Sequence, residues 1–129
     1  MSEFVNNSGQ GKGSAVPEEI KAFNWGAFCL NWIWGVFNGS FITLVIFASV
    51  LLAFIPFIGW LAPLALCIWF GNKGNEWAWQ NKKWESVEQF HKVQRTWATV
   101  GLILFTLGII CSVASTVLGI MFASSFAGV

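Results

Sequence analysis

The sequence contains no tyrosine, no aspartate and a single histidine, His91. Catalytic and metal sites need several such groups together, because a closed metal site requires a full ligand set and acid–base chemistry requires a positioned partner. The carboxylate nearest to His91 in sequence is Glu88, and one such pair is not a ligand set. We therefore predict no catalytic residue, no cofactor-binding residue and no metal ligand, and we expect that the protein is not an enzyme.

Charged residues are also scarce. They make up 10% of the chain, against about 25% in an ordinary soluble domain. Two long segments, residues 41–70 and 96–126, carry no charged side chain. A helix of roughly 20 apolar residues crosses a hydrocarbon core about 30 Å thick. The sequence therefore predicts an all-α membrane protein with one membrane domain, residues 23–129.

The cysteines are too few and too isolated to form a disulfide framework or a zinc site. Cys29, Cys67 and Cys111 each lie alone in an apolar segment, so we interpret them as small buried hydrophobic residues. The first 22 residues lack the pattern of a signal peptide. We therefore expect an internal segment to direct membrane insertion.

The N-terminal region, residues 1–22, is polar. Its first 15 residues are rich in Gly, Ser and Asn and too poor in apolar groups to offset the entropy lost on ordering, which predicts a disordered tail. Pro17, Glu18 and Glu19 are typical of a helix start, because proline suits the first turn and carboxylates suit the positive end of the dipole. We therefore predict a short lead-in helix at the end of the tail.

Residues 23–38 are apolar but too short for a span, since about 15 helical residues rise only about 22 Å. Asn24, Asn31 and Asn38 recur every seven residues, which places them on one helical face. This pattern, together with several Trp residues, predicts a Trp-rich interfacial helix that lies in the membrane plane. The alternative is that the three Asn side chains line a polar pocket.

Prolines interrupt the uncharged segment 41–70. Pro56 and Pro63 lie near its middle, and proline breaks or kinks a helix. One long kinked span is compatible with this pattern, and so is a Pro-interrupted transmembrane hairpin of two short spans, residues 41–55 and 57–71.

The basic residues favour the hairpin. Lysine and arginine near membrane segments favour the cytoplasmic side. A hairpin keeps all seven basic residues on that side, whereas a single span separates Lys12 and Lys21 from the others. We therefore predict a multi-pass protein of the bacterial inner membrane with a cytoplasmic N-terminus.

Residues 75–96 hold most of the charge and show one apolar and one polar helical face, which predicts an amphipathic cytoplasmic helix. Residues 97–123 predict the last span, a C-terminal transmembrane helix. Trp side chains favour the membrane–water boundary. The predicted membrane-interface residues are Trp25, Trp32, Trp34, Trp77, Trp79, Trp84 and Trp97.

Small residues recur along the last span at spacings that let helix backbones approach closely in lipid. The predicted helix-packing residues are Gly108, Ser112, Ser115, Gly119 and Ala123. The simpler interpretation is contact with the hairpin of the same chain. The alternative is self-association between chains.

The chain resembles a bacterial family of small integral membrane proteins of unknown function at two stretches, FNWGAFCLNWIWGVFN and GNKGNEWAWQNKKWESVEQFHKVQRTWA. The resemblance covers roughly residues 23–98 and includes the FNWGAF opening, the Pro-interrupted segment and the GNEWAW joint. Members are sometimes labelled ribonuclease G, but this chain has no acidic cluster that could hold Mg²⁺. The resemblance implies a membrane topology and no particular activity.

These features predict a small integral membrane protein of unknown biochemical function that acts through protein or lipid contacts as an accessory or structural component. The alternative is a homo-oligomeric channel or transporter subunit, although the spans lack the ionisable residues that mark ion pathways. A third hypothesis treats the helix 75–96 as a reversible lipid sensor. The expected partners are the lipid bilayer and either a larger membrane complex or a second copy of the chain. The near-neutral charge balance of residues 75–96 argues against nucleic-acid binding, and no small-molecule ligand is identified.

Overall fold

The computed structural model describes residues 6–128. Every regular element in this part of the chain is a helix, which confirms the all-α prediction. The elements are the 3₁₀ helices Gly11–Gly13 and Glu18–Ile20, the α-helices α1 (Trp25–Leu30) and α2 (Trp32–Phe37), the 3₁₀ helix Phe41–Leu52, and the α-helices α3 (Ile58–Asn81) and α4 (Val87–Ala127). Helix α1 packs against both α3 and α4.

Aromatic side chains from α2, α3 and α4 form the buried core. The largest of them are Trp34, Phe70, Trp79 and Phe90. The ring of Phe90 packs edge-on against Trp79, with centroids 5.7 Å apart, and against Trp84 at 4.8 Å. Such aromatic pairs contribute about 0.5–1.5 kcal/mol beyond the burial of their area. They hold the C-terminal end of α3 against the N-terminal end of α4.

Residues 6–15 are packed against this core, so the predicted disordered tail is wrong for this segment. The Gly9 N–H donates to the carbonyl of Trp79 at 2.9 Å. The Trp84 N–H donates to the Ser8 hydroxyl at 2.7 Å, and Ser8 is buried. A buried backbone N–H without a partner is costly. The segment is ordered because it supplies partners to Trp84, an effect that composition does not register.

The end of the N-terminal segment is also tied to the core. The indole N–H of Trp79 donates to the carbonyl of Ala15 at 2.9 Å. The region predicted as a lead-in helix contains a single 3₁₀ turn, Glu18–Ile20, whose Ile20 side chain is fully buried. Residues 1–5 of the predicted tail lie outside the described residues.

Residues 23–38 form the two short helices α1 and α2, so the prediction of one in-plane helix is wrong. Asn31 separates them with a φ of +49° and a ψ of −113°, and a positive φ is less rare for asparagine than for most other residues. Asn24 caps α1 by accepting the Ala27 N–H at 2.8 Å, and Asn38 ends α2. The three asparagines therefore occupy helix ends, where asparagine is favoured.

The 3₁₀ helix Phe41–Leu52 is followed by a turn that leads into α3. The turn contains Pro56 and Phe57, and Phe57 has a φ of +68°, which is uncommon for a bulky residue. Helix α3 then packs against the 3₁₀ helix and contains Pro63 within its first turns. The two elements form a helical hairpin whose insertion into a membrane stays a prediction.

Helix α3 extends beyond the predicted second span of residues 57–71 and ends at Asn81, and α4 begins at Val87. The predicted amphipathic helix 75–96 is therefore wrong as one element. Its first part completes α3, its middle is the loop 82–86, and its last part begins α4. The joint between the two helices lies about ten residues later than the sequence pattern indicated.

A side-chain cap explains why α4 begins where it does. The Ser86 hydroxyl accepts the Gln89 N–H at 3.0 Å, and the Gln89 side chain accepts the Glu85 N–H at 2.8 Å. The Ser-x-x-Gln spacing is the capping-box signature of a helix N-terminus. The first backbone N–H groups of a helix have no carbonyl partner within it, and the Ser86 cap provides a partner for one of them, the N–H of Gln89.

Helix α4 is 41 residues long, or about 62 Å at 1.5 Å per residue. Its first part, residues 87–101, packs together with the N-terminal segment, α1, α2 and the C-terminal part of α3 around the aromatic core, and we call this unit the body. Every described side chain from residue 102 onwards is exposed. Among the described residues, α4 is the one helix long and apolar enough to cross a membrane, with a mean hydropathy of 2.3 in its most apolar window. The 3₁₀ helix Phe41–Leu52 is apolar but shorter, so a multi-pass topology stays a prediction.

Candidate functional site

Four amide side chains from distant parts of the sequence meet in the interior of the body. They are Asn24 before α1, Asn38 after α2, Asn75 in α3 and Gln94 in α4, and we call them the amide cluster. All four are buried. Buried polar side chains are stable when they are hydrogen-bonded, so the partners of these groups define the site.

Gln94 is the centre of the amide cluster. Its Oε1 accepts from Asn24 Nδ2 at 2.9 Å and from the Trp34 indole N–H at 2.8 Å. Its Nε2 donates to Asn38 Oδ1 at 2.8 Å. One side chain of α4 therefore connects the start of α1 with the middle and the end of α2.

Asn75 extends the amide cluster to α3. Its Oδ1 accepts from Asn24 Nδ2 at 2.6 Å. Its Nδ2 donates to the carbonyls of Ile20 at 2.7 Å and Ala22 at 3.2 Å. Both amide hydrogens of Asn75 are therefore used, and the chain leading into α1 is fixed against α3.

Glycines allow α1 to approach the two long helices closely. A Cβ placed at Gly74 of α3 would lie 2.9 Å from the Ala27 Cβ, and one placed at Gly26 of α1 would lie 2.8 Å from the Trp97 Cβ. These separations are shorter than carbon–carbon contacts in packed interiors. A larger residue at either position would push α1 away from α3 or from α4.

A cleft of about 180 Å³ opens beside the amide cluster. Its wall combines three amides of the cluster with aromatic and basic side chains. The lining residues are Ala22, Phe23, Asn24, Trp25, Asn75, His91, Gln94, Arg95 and Ala98. Among residues 6–128 no carboxylate lines this cleft, so the described lining offers neutral amides and basic side chains to a ligand.

The structure separates the seven Trp residues predicted at the membrane interface into two groups. Trp34, Trp79 and Trp84 are buried in the core, so the prediction is wrong for these three. Their indole N–H groups bond inside the protein, as in the donation from Trp84 to the carbonyl of Ala78 at 2.8 Å. A buried indole has no access to a lipid headgroup.

The other four residues of that set keep surface area. Trp25 and Trp32 are exposed, and Trp77 and Trp97 are partly buried. Their position at a membrane surface stays a prediction. Composition did not separate the two groups, because Trp suits both a core and an interface.

The predicted helix-packing residues lie on the exposed part of α4. A Cβ placed at Gly108 or Gly119 has no neighbour within 4 Å among the described residues, and Ser112, Ser115 and Ala123 are exposed. The prediction that these residues contact the hairpin of the same chain is therefore wrong for the described part of the protein. Contact with another molecule stays a prediction.

The cysteines are free and do not pair within the described residues. Cys29 and Cys67 are partly buried, whereas Cys111 is exposed on α4, so the buried interpretation is wrong for Cys111. The Cys67 thiol donates to Asn31 Oδ1 at 2.8 Å. No three metal-ligating side chains come together anywhere in residues 6–128.

Sequence reasoning singled out neither Gln94 nor Asn75. Gln94 shares a helical face with Phe90, Trp97 and Gly101, which follow a spacing of four, three and four residues. A polar residue on an apolar face was the available signal, since such a group must find a buried partner. Its partner Asn24 lies 70 residues away, and no local pattern identifies it.

Comparison with known proteins gives no match to a protein-family model, to a curated protein or to a solved structure. The resemblance to a family of small membrane proteins therefore stays a prediction. The molecule itself defines a helical body with a buried amide cluster, a basic cleft beside it and a long apolar C-terminal helix. This arrangement can hold helices in register and can attract an anion.

Proposed function

We propose that this protein is an integral protein of the bacterial inner membrane that acts through protein or lipid contacts, as an accessory or structural component without enzymatic activity. The exposed part of α4 carries the proposal. Residues 102–127 span about 39 Å at 1.5 Å per residue, which is enough for a hydrocarbon core of about 30 Å. Their apolar side chains are exposed, and lipid would remove that area from water.

The exposed apolar side chains of the hairpin support the insertion of a second segment of the chain into the membrane. Phe54 at its turn is 93% exposed, and Leu51 and Phe57 are also largely exposed. The 3₁₀ helix Phe41–Leu52 rises about 24 Å at about 2 Å per residue, slightly less than the core thickness. Local thinning of a bilayer accommodates such a mismatch. In this proposal the hairpin enters from the side of the body and makes the protein multi-pass.

The orientation follows from the basic residues. All seven lie before residue 96 and outside residues 41–70, so they belong to the body and its N-terminal segment. Lysine and arginine near membrane segments favour the cytoplasm. We therefore place the body and the N-terminus on the cytoplasmic side.

Thiol labelling tests the insertion of α4. In a chain with Cys29→Ser and Cys67→Ser, Cys111 is the single thiol, and we expect it to resist a water-soluble maleimide in membranes and to react after detergent solubilisation. A matched chain with Lys92→Cys and Cys111→Ser should react in inverted vesicles and not in intact spheroplasts. Equal labelling of Cys111 before and after solubilisation would contradict membrane insertion.

The same approach tests the hairpin. A single thiol introduced as Phe54→Cys should be reached from the periplasmic side of spheroplasts if the hairpin crosses the membrane. Labelling only from the cytoplasmic side would contradict a crossing.

The proposed mode of action is tested by purification from native membranes in mild detergent, followed by mass determination of the intact complex. A second protein at a fixed ratio would support the accessory role and identify the process. A lone chain of 14.3 kDa would contradict stable protein contacts and leave lipid as the partner.

The alternative function is a homo-oligomeric channel or transporter subunit. It is favoured by the exposed line of α4 that contains Ser115, Gly119 and Ala123, because small residues spaced by four let helices of different copies approach closely. A purified complex at a defined multiple of the chain mass would support it. Gly119→Leu should then reduce the oligomer, whereas Val117→Leu, which adds bulk to a different side of α4, should not.

A further inference from the structure

The cleft beside the amide cluster contains the only arginine and the only histidine of the chain, Arg95 and His91. They lie four residues apart on α4 and therefore face the same side of the helix. Arginine presents a planar fork of N–H donors that matches the oxygens of a phosphate group. A histidine one turn away can supply a further donor. The pair has the chemistry of an anion site.

Within residues 6–128, the His91 ring lies edge-on to the Phe90 ring, with centroids 6.2 Å apart, but neither His91 nor Arg95 uses its side-chain N–H groups in an ion pair. The ion pairs of residues 6–128 join Lys21 to Glu18 and Lys73 to Glu76, and the side chains of Arg95 and His91 take part in none of them. The aromatic rings of Phe23 and Trp25 also line the cleft. An anion that entered would meet the donors of Arg95 and His91 and, among the described residues, no carboxylate of the lining.

The position of the cleft along α4 indicates where the anion comes from. Arg95 is the last charged residue of the chain, and the fully exposed apolar part of α4 begins at residue 102. Seven helical residues correspond to about 10 Å, and each polar headgroup layer of a bilayer is about 5–8 Å thick. If residues 102–127 cross the membrane, the cleft therefore lies near the level of the lipid phosphates.

We propose that this cleft binds a phosphate group, with the Arg95 guanidinium and the His91 imidazole as donors, and that a phospholipid headgroup is its source. The inference rests on the proposed membrane insertion only for that source, because a soluble phosphate compound presents the same oxygens. It adds a defined binding site to a protein that otherwise acts through extended surfaces.

The single arginine and single histidine make a direct test possible. The full chain, labelled with ¹⁵N-arginine and ¹⁵N-histidine, is placed in maltoside micelles, which contain no phosphate. Its Arg95 Nε and His91 ring signals are then followed during titration with dihexanoyl phosphatidylglycerol and, separately, with inorganic phosphate at constant ionic strength. We expect both signals to shift saturably with the lipid. The matching diacylglycerol, which has the same acyl chains without phosphate, should not move them.

The outcomes separate the sources of phosphate. Saturation with the lipid alone supports a headgroup site, and saturation with both compounds supports a phosphate site whose natural source follows from the ratio of affinities. Saturation with inorganic phosphate alone would support a phosphate site and overturn the phospholipid headgroup as its source. Absence of a saturable shift with either compound, or an equal shift with diacylglycerol, would overturn the proposal.

Two substitutions sharpen the test, with the His91 signal as the readout. Arg95→Gln should weaken binding by about tenfold or more, since it removes charge-assisted hydrogen bonds. Lys92→Gln removes the same charge from an exposed position of α4 that does not line the cleft and should change affinity by less than about twofold. Equal effects of the two variants would overturn the assignment of Arg95.

The test also distinguishes this inference from the proposed membrane insertion. Absence of phosphate binding in a chain whose Cys111 is protected by the membrane would refute the inference and leave the proposed membrane insertion intact.

Discussion

Gln94→Ala is the substitution that tests the architecture of the body most directly. Gln94 makes three hydrogen bonds within the protein, to Asn24, Trp34 and Asn38. Alanine removes all three and preserves the helix, because alanine has the highest helix propensity. Any loss of stability therefore reports on the amide cluster and not on α4 itself.

The size of the expected loss of stability depends on which hydrogen bonds the partners of Gln94 keep in the variant. Asn24 Nδ2 retains its bond to Asn75, whereas the Trp34 indole N–H and Asn38 Oδ1 lose the partner that Gln94 provided. Leaving a buried donor or acceptor unsatisfied costs about 1–3 kcal/mol for each group. We therefore expect Gln94→Ala to lower the free energy of unfolding by about 2–6 kcal/mol, a large part of the stability of a typical domain.

The assay is guanidinium unfolding of the full chain in maltoside micelles, followed by tryptophan fluorescence. Trp34, Trp79 and Trp84 are buried in the body, so their emission reports on its unfolding. Gln80→Ala is the matched control, because Gln80 belongs to α3 and takes no part in the amide cluster. It should change the free energy of unfolding by less than about 0.5 kcal/mol.

A double-mutant cycle with Asn38→Ala separates the cluster from simple loss of packing. Once Gln94 is removed, Asn38 Oδ1 has already lost its partner, so Asn38→Ala should cost less than it does in the wild-type chain. We expect a coupling energy of about 1 kcal/mol or more, as found for directly bonded residues. If Gln94→Ala costs no more than Gln80→Ala, or if the cycle shows no coupling, the amide cluster does not stabilise the body as described.

Three further predictions concern the stability of the helices and of their packing. Gly74→Ala should destabilise the body by about 1–3 kcal/mol through overpacking, since its Cβ would lie 2.9 Å from the Ala27 side chain. Gly108→Ala, with open space around it, should instead stabilise α4 by up to about 1 kcal/mol. Thermal unfolding followed by circular dichroism should show the two opposite changes in stability. Ser86→Ala should cost about 1 kcal/mol by removing the cap of α4, Ser86→Asp should retain most of that energy, and hydrogen exchange of the first turn reports the difference. Ser8→Ala should lower the free energy of unfolding by about 1–3 kcal/mol, because it leaves the buried Trp84 N–H without its partner. The variant should also show stronger quenching of tryptophan emission by acrylamide. Unchanged quenching would show that the N-terminal segment does not cover the core.

The amide cluster is well suited to a body with few charges. Asn24, Asn75 and Gln94 are neutral, so their burial avoids the large desolvation penalty that ion pairs carry. Amides still require specific geometry, because each offers donors and acceptors in fixed directions. The cluster can therefore fix how α1, α3 and α4 fit together, which a uniformly apolar core of tryptophan and phenylalanine would specify less strictly.

Local properties of the sequence were sufficient for several features. The absence of charge after Arg95 and the high hydropathy of that segment predicted the long apolar C-terminal helix, because helix formation in an apolar run depends on neighbouring residues. The breaks near Asn38 and Pro56 were also visible, since asparagine and proline act on their own backbone. The spacing of Ser86 to Gln89 is also a local signal for a helix start, and the predicted amphipathic helix 75–96 runs across the joint between α3 and α4 that this signal marks.

The tertiary structure alone decided which polar and aromatic residues form the interior. Asn24 and Gln94 are 70 residues apart, and only the packing of α1 between its neighbours brings their side chains together. The same packing buries Trp34 and leaves Trp25 exposed, although both carry the same side chain within one short segment. It also orders the N-terminal segment, because the hydrogen bonds offered by Trp79 and Trp84 exist only once the core has formed. Composition and periodicity describe what each segment can do by itself, whereas burial and hydrogen-bond partnership belong to pairs of segments and arise only when the chain has folded.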